Sequence, residues 1–144
     1  MKRTKIAALL SSNQPSGQVL IKGWVRTRRD SKNFSFIEVN DGSCLKNIQV
    51  VADDGLAAYD QIRKLATGSS VEVTGQIVAS PGKGQAWEIR AEAVTLVGDA
   101  PESFPLQKKR HSDEFLRSIA HLRPRTNKYG ATFRIRSALA QAVH

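Results

Sequence analysis

The feature that most constrains the fold is a two-residue alternation of apolar and polar side chains in successive short runs. Between Val19 and Arg28, apolar residues at 19, 21 and 25 alternate with Lys, Trp and Arg at 22, 24, 26 and 28. Similar runs extend from Phe34 to Val39 and from Leu45 to Ala52, and Asp, Asn, Gly and Ser separate them. A two-residue period of apolar side chains, bounded by turn-forming residues, predicts β-strands with one buried face and one exposed face.

Further along the chain, the pattern predicts one helix and two more strands. Residues 57–66 place Ala58, Ile62 and Leu65 on one helical stripe. Strands are predicted over 71–77 and 87–97, with a bulge in the last one that shifts its phase. This order predicts an all-β OB-fold, a five-stranded Greek-key barrel with one short helix between strands 3 and 4. An SH3-like barrel is the alternative, but it normally lacks that helix.

The character of the chain changes after residue 100. A Pro-containing, basic segment is followed by an apolar stripe at Ile135, Leu139 and Val143, which have the i, i+4, i+8 spacing of a helix. The stripe continues to His144 without a Gly or Pro stop signal. We therefore expect a piece of a longer protein, with a barrel domain at 1–100, a hinge at 101–130 and the start of a helix at 131–144.

The charge of the chain favours a polyanionic partner. The formal net charge is +9, which is typical of chains that bind nucleic acid or an anionic membrane surface. Residues 1–100 contribute +3 of this charge and residues 101–144 contribute +6. No apolar run approaches the ~20 residues that span a bilayer, so we expect a cytoplasmic protein without a membrane partner. The single cysteine, Cys44, can form no internal disulfide.

No residue pattern indicates catalysis. His111, His121 and His144 are dispersed and lack metal-ligand spacing. The Pro81–Gly84 segment contains Gly and Lys but not the spacing of a nucleotide-binding Walker loop. We expect no catalytic residue, no metal site and no cofactor in this chain.

Several side chains suit the binding of single-stranded nucleic acid. Phe36 and Gln49 are predicted to share a face on neighbouring strands, where a base can stack on the ring and pair with the amide. Arg26 and Arg28 are predicted on that face of strand one, within reach of phosphates. The alternative is that Phe36 plugs one end of the barrel and both arginines are merely solvated.

Two further candidates lie near the fifth strand. Glu88 is predicted on its outward side, where a carboxylate can accept the two N–H donors on the edge of guanine. Lys83 lies in the Pro81–Gly84 loop, which we expect near the bound single-stranded nucleic acid.

Six segments carry a resemblance to a known family. Gly23–Lys32 (GWVRTRRDSK) and Phe36–Ser43 (FIEVNDGS) resemble the opening of the OB domain in class IIb aminoacyl-tRNA synthetases. Four others are similar to the asparaginyl branch of that family: Val78–Gln85, Lys109–Ser112, Phe115–Arg117 and His121–Asn127. The likeness covers nearly the whole chain after residue 17.

The resemblance implies a role for each candidate. The barrel would bind the anticodon loop of tRNA(Asn), which carries G-U-U. Phe36 would stack on the middle uracil, and Gln49 would read its edge. Arg26 and Arg28 would contact the loop's backbone and bases, and Glu88 the first guanine.

The resemblance also implies a larger parent enzyme. That enzyme would be a homodimer that joins asparagine to tRNA with ATP and Mg²⁺. Residues 131–144 would be the truncated start of its catalytic domain, the motif 1 helix of the dimer interface, and this chain alone would be inactive because motif 1 is incomplete and motifs 2 and 3 are missing. Two other functions stay open from the residues alone. One is a stand-alone OB protein that binds single strands with little sequence preference. The other is a fragment whose terminal helix docks on another protein.

Overall fold

The chain folds into a barrel followed by a small helical unit. The computed structural model describes residues 1–82 and 84–144, which divide into the units Met1–Pro105 and Leu106–His144. Its elements are α1 (Ile6–Ser11), β1 (Gln18–Asp30), β2 (Phe34–Asn40), β3 (Ile48–Asp53), α2 (Tyr59–Ile62), β4 (Ser70–Ala79), β5 (Trp87–Gly98), α3 (Asp113–Ser118), a 3-10 turn (Arg123–Arg125) and α4 (Asn127–Val143). Among the described residues, no helix is long and apolar enough to cross a membrane.

The five strands form a closed barrel in the order β1-β2-β3-β5-β4. The N-terminal half of β1 pairs with β4 and its C-terminal half with β2, while β3 and β5 close the barrel as a parallel pair. A closed barrel leaves no unpaired sheet edge. The predicted OB-fold, with its helix between strands 3 and 4, is confirmed.

The barrel core follows from the alternation of the sequence. The inward positions are aliphatic, so that burial removes their apolar surface from water. The core consists chiefly of Val19, Ile21, Val25, Ile37, Val39, Ile48, Val50, Val71, Val73, Ile77, Ile89 and Val94. Ser35 is fully buried among them, and its hydroxyl donates to Asp30 at 2.7 Å.

Helix α1 is held to the barrel by the turn that follows β2. Asp41 accepts the backbone N–H of Ile6 at 3.0 Å, and Ser43 Oγ accepts that of Ala7 at 2.9 Å. These two donors would otherwise lack an intrahelical partner. Burial tends to raise the pKa of Asp41, but hydrogen bonds from Ser43 and Ile6 and the charge of Arg3 outweigh it and leave that pKa below its usual value.

Two predicted elements have different bounds in the structure. Strand β3 begins at Ile48 rather than Leu45, because the carbonyl oxygens of Cys44 and Lys46 accept from the side chain of Asn40 and so belong to the turn after β2 and not to the strand ladder. The predicted helix at 57–66 is reduced to the four residues of α2. Tighter i→i−3 turns continue the chain to residue 65.

The bulge predicted in β5 is confirmed. The register with β4 changes between Thr74 and Gly75, which pair with Ala93 and Ala91, so that Glu92 is the extra residue. At this point the two strands approach closely: a Cβ built on Gly75 would lie 2.1 Å from the carbonyl oxygen of Arg90. Only glycine fits here without displacing backbone.

The second unit contains α3 and α4. Ser112 caps α3 by accepting the N–H of Phe115, and Thr126 caps α4 by accepting that of Tyr129. Helix α3 was not predicted. Helix α4 was predicted from its apolar stripe at Ile135, Leu139 and Val143, which are 62, 62 and 86% exposed. It begins at Asn127, before the stripe, because the cap at residue 126 fixes its first turn.

Candidate nucleic-acid interface

The outer face of the sheet brings the candidate side chains into two rows. In one row, Arg29 pairs with Phe36, Phe36 with Val51, and Val51 with Arg90. Because residues directly opposite each other on paired strands project from the same face, these side chains form a continuous strip across four strands, which we call the Phe36 row.

The second row lies two residues away along each strand. Thr27 pairs with Glu38, Glu38 with Gln49, and Gln49 with Glu88. We call this strip the Gln49 row. The predicted shared face of Phe36 and Gln49 is therefore present, on neighbouring strands and offset by one step of the pleat.

Phe36 lies on this surface and not within the core. Its neighbours Ser35 and Ile37 are both 0% exposed, whereas Phe36 is half-buried. The guanidinium carbon of Arg29 lies 5.1 Å from the centroid of the Phe36 ring, which is within cation–π range. A partly exposed aromatic ring on the sheet surface is a suitable platform for an unpaired base.

Gln49 and Glu88 are in direct contact. The Gln49 amide donates to Glu88 Oε2 at 3.1 Å, and Ser80 Oγ donates to the same oxygen at 2.8 Å. Glu88 is 5% exposed, so these donors satisfy one oxygen of a carboxylate that is almost withdrawn from water. The predicted outward position of Glu88 is correct, but it is recessed beneath its hydrogen-bond partners.

Arg28 does not lie on the face on which it was predicted. The register between β1 and β2 shifts between Val25 and Thr27, so that Arg26 is an extra residue and the alternation reverses beyond it. Arg28 consequently pairs with the buried Ile37.

The contacts of Arg28 are internal to the barrel unit. Its Nε donates to the carbonyl oxygen of Leu65 at 3.1 Å, and its Nη1 donates to both carboxylate oxygens of Asp30. Arg29 occupies the outward position in its place. The outward position of Arg29 follows if the two-residue alternation is applied backwards from the hairpin turn at 31–33 instead of forwards from Trp24.

The other predicted arginine, Arg26, is half-buried at the bulge, and its role stays a prediction. Lys83 lies outside the described residues. The loop that contains it is closed by a hydrogen bond from Ser80 N to Ala86 O at 2.9 Å.

Three more side chains on the surface escaped the sequence analysis. Arg90 is exposed at the end of the Phe36 row, and Thr27 and Glu38 occupy the Gln49 row. Glu38 accepts a hydrogen bond from Asn47 at 2.9 Å. The alternation of β2 and β5 did contain a signal for Glu38 and Arg90, because each lies two residues from a predicted site residue.

The described residues contain no group of three or more His, Cys, Asp or Glu side chains that could hold a metal ion. The two rows offer an aromatic ring for stacking, an amide for hydrogen bonding and the positive charges of Arg29 and Arg90. These are the interactions by which OB-folds bind single strands.

Comparison with known proteins agrees with this geometry. The profile of the tRNA anti-codon family, described as an OB-fold nucleic acid binding domain, matches residues 19–97. The asparagine–tRNA ligase of Oleidesulfovibrio alaskensis is 61% identical over 100% of this chain and 32% of its own length. That of a Nostoc species is 56% identical, with the same coverage of 100% and 32%. The chain thus spans about a third of the length of these relatives.

Solved structures share the fold. Asparaginyl-tRNA synthetase from Pyrococcus horikoshii, complexed with asparaginyl-adenylate, matches 99% of this chain and 33% of its own with a TM-score of 0.85 at 23% identity. Aspartyl-tRNA synthetase from Entamoeba histolytica matches 97% of this chain and 36% of its own with a TM-score of 0.76 at 19% identity. The chain belongs to the tRNA anti-codon family of OB-fold nucleic-acid-binding domains, and along its whole length it is similar to asparagine–tRNA ligases.

Proposed function

We propose that this chain is the part of an asparagine–tRNA ligase that binds the anticodon loop of tRNA(Asn). One observation carries the proposal: the half-buried Phe36 and Gln49 share the outer face of the sheet on paired strands. Stacking on the ring holds one base, and the amide lies one pleat away to meet a base edge.

Each residue has a proposed role. Phe36 stacks on the middle uracil of G-U-U, Gln49 pairs with the edge of that base, and Glu88 accepts from the first guanine. Arg29 replaces Arg28 as the β1 arginine that meets the loop, because its guanidinium lies over the Phe36 ring. Arg26 keeps its proposed role as a contact to the backbone and bases of the loop.

Lys83 also stays in the proposal, and it rests there on the sequence alone. A basic side chain in the loop between β4 and β5 would favour the phosphates of a bound single strand.

The parent enzyme is a further part of the proposal. Its relatives at 61% and 56% identity are asparagine–tRNA ligases, so we propose a cytoplasmic enzyme that joins asparagine to tRNA(Asn) with ATP and Mg²⁺. This chain covers 32% of the length of these relatives and, by its resemblance, lacks the motifs that hold ATP and the amino acid, so we expect it to be inactive alone. The exposed stripe at Ile135, Leu139 and Val143 supports α4 as part of a homodimer interface in that enzyme.

The proposal is tested with the 144-residue chain and an RNA stem–loop that carries an unpaired GUU. Phe36→Ala should weaken binding by about 1–3 kcal/mol, because the base loses its stacking partner. Phe115→Ala is the matched control, since Phe115 is 38% exposed but lies outside the sheet. Dissociation constants from fluorescence anisotropy give the comparison.

Two results would count against the proposal. If Phe36→Ala binds as tightly as the parent chain, the stacking surface is wrong. If a scrambled loop of equal length binds as tightly as GUU, the chain is a sequence-tolerant single-strand binder instead.

A further inference from the structure

A cluster of hydrogen bonds surrounds one oxygen of Glu88. Gln49 Nε2 donates to Oε2 at 3.1 Å, Ser80 Oγ at 2.8 Å and Gln85 Nε2 at 3.5 Å. Gln85 also donates to Ser80 Oγ at 2.8 Å. The cluster thus links a residue of β3 to two residues beside the loop between β4 and β5, through a side chain that is 5% exposed.

The chemistry of this cluster fixes the orientation of the Gln49 amide. A carboxylate has only acceptors, so the group that faces Glu88 must be the NH₂ and not the carbonyl oxygen. A flipped amide would place its oxygen against a recessed, negatively charged oxygen and would leave the carboxylate without one donor, which is costly where water is scarce. One N–H and the carbonyl oxygen of Gln49 therefore remain for a ligand, in a fixed order.

We propose that Glu88, held by Ser80, sets the Gln49 amide so that it accepts keto bases and rejects amino bases. Uracil presents an N–H donor beside a carbonyl acceptor, which complements an amide oxygen beside an N–H. Cytosine presents the reverse, an acceptor beside an amino group, and would require the flipped amide. This inference rests on the proposed function and specifies how the middle base is chosen.

Ser80 acts as a positioning residue in this scheme. It follows β4 directly, its backbone N–H closes the loop onto Ala86 at 2.9 Å, and its hydroxyl makes the shortest of the three bonds to Glu88. The loop between β4 and β5 thereby influences the selectivity of a β3 side chain that lies two strands away from β4 in the barrel.

The test compares two stem–loops, with GUU and GCU, on the full chain and on its variants. The unsubstituted chain should prefer uracil by about tenfold, which corresponds to about 1.4 kcal/mol, since an unpaired polar group in a recessed site is costly. In Glu88→Gln, the residue at 88 can both donate and accept, so the ratio should fall below about threefold. Ser80→Ala should give an intermediate ratio.

Glu92→Gln is the matched control. It removes the same charge from the same strand, and Glu92 likewise accepts from two glutamine amides, those of Gln18 and Gln76. Because it does not touch the Gln49 amide, its ratio should equal that of the parent chain.

The outcomes separate the two levels of the proposal. A parent chain that prefers GUU to a scrambled loop, together with an unchanged uracil preference in Glu88→Gln, overturns the fixed amide but not anticodon binding. A parent chain without any GUU preference overturns the proposed function. If Glu88→Gln does not fold, by its circular dichroism melt, Ser80→Ala decides: a ratio equal to that of the parent chain overturns the inference.

Discussion

The bulge in β1 makes opposite predictions for two adjacent arginines. Arg29 lies with its guanidinium carbon 5.1 Å from the Phe36 ring centroid, whereas Arg28 is bound to Leu65 O and Asp30. Arg29→Gln should therefore impair RNA binding and lower the stability of the fold only slightly. Arg28→Gln should impair folding and leave RNA binding nearly intact.

The expected loss of binding free energy in Arg29→Gln is the sum of two contributions. Loss of one phosphate contact to a single strand reduces the slope of log K against log[salt] by about 0.7. Near 0.1 M salt this corresponds to a loss of about 1 kcal/mol of binding free energy. Loss of the cation–π contact that orders the ring is worth about 0.5–1 kcal/mol at an exposed site. Together they weaken binding by about 10- to 30-fold, and the free energy of unfolding falls by no more than the cation–π contribution of about 0.5–1 kcal/mol.

The magnitude for Arg28→Gln follows from its contacts. Its side chain is 23% exposed, and the variant loses a hydrogen bond to a backbone carbonyl and an ion pair with Asp30. The free energy of unfolding should fall by about 1–2 kcal/mol, because the bond to the partly exposed Asp30 is weakened by solvent. The Kd for the GUU stem–loop should change by less than about twofold.

The assays are urea denaturation for stability and anisotropy titration at several salt concentrations for binding. If Arg28→Gln reduced the salt slope and Arg29→Gln did not, the reversed alternation after Arg26 would be refuted, along with the proposed surface.

Two other predictions concern the barrel itself. Asp41→Ala should lower the free energy of unfolding by about 1–2 kcal/mol, because the first N–H group of α1, that of Ile6, loses its acceptor. Since the pKa of Asp41 is lowered on folding, its contribution is present above the ordinary value of about 3.9 and is lost as pH falls through the folded pKa; the parent chain should therefore lose more stability than the variant in acid denaturation. Gly75→Ala should cost about 3 kcal/mol or more by urea denaturation, because its Cβ would meet Arg90 O at 2.1 Å. Gly55→Ala, where only a side-chain oxygen lies near at 3.2 Å, should be nearly neutral.

The two bulges explain how far the sequence could predict this surface. In β5, buried apolar residues lie on both sides of the bulge at Glu92: Ile89 before it and Val94 after it. The change of phase was therefore visible, and it was predicted. In β1, the residues after Val25 are Arg, Thr, Arg and Arg. None of these polar residues indicates which face of the strand is buried. The extra residue is set by pairing with β2, which the pattern of β1 alone does not contain.

Other differences have the same origin in tertiary contacts. The delayed start of β3 depends on the side chain of Asn40, which binds a segment that its own alternation would make a strand. The link from Gln49 to Ser80 joins residues 31 positions apart through Glu88, and spacing gives no indication of it. By contrast, Phe36, Gln49 and Glu88 each lie on a strand whose apolar residues mark its phase, so their shared surface could be predicted.

The extra residue in β1 also determines which codons a combinatorial library of this barrel should vary. Before Arg26 the outward positions of the strand carry even numbers, and after it they carry odd numbers, at Thr27 and Arg29. A library built on an uninterrupted even count would randomise Arg28, whose bonds to Leu65 and Asp30 anchor the scaffold. Such a library would yield many poorly folded clones and few altered specificities, whereas one that keeps Arg28 and diversifies the Phe36 and Gln49 rows would retain the scaffold while its recognition surface evolves.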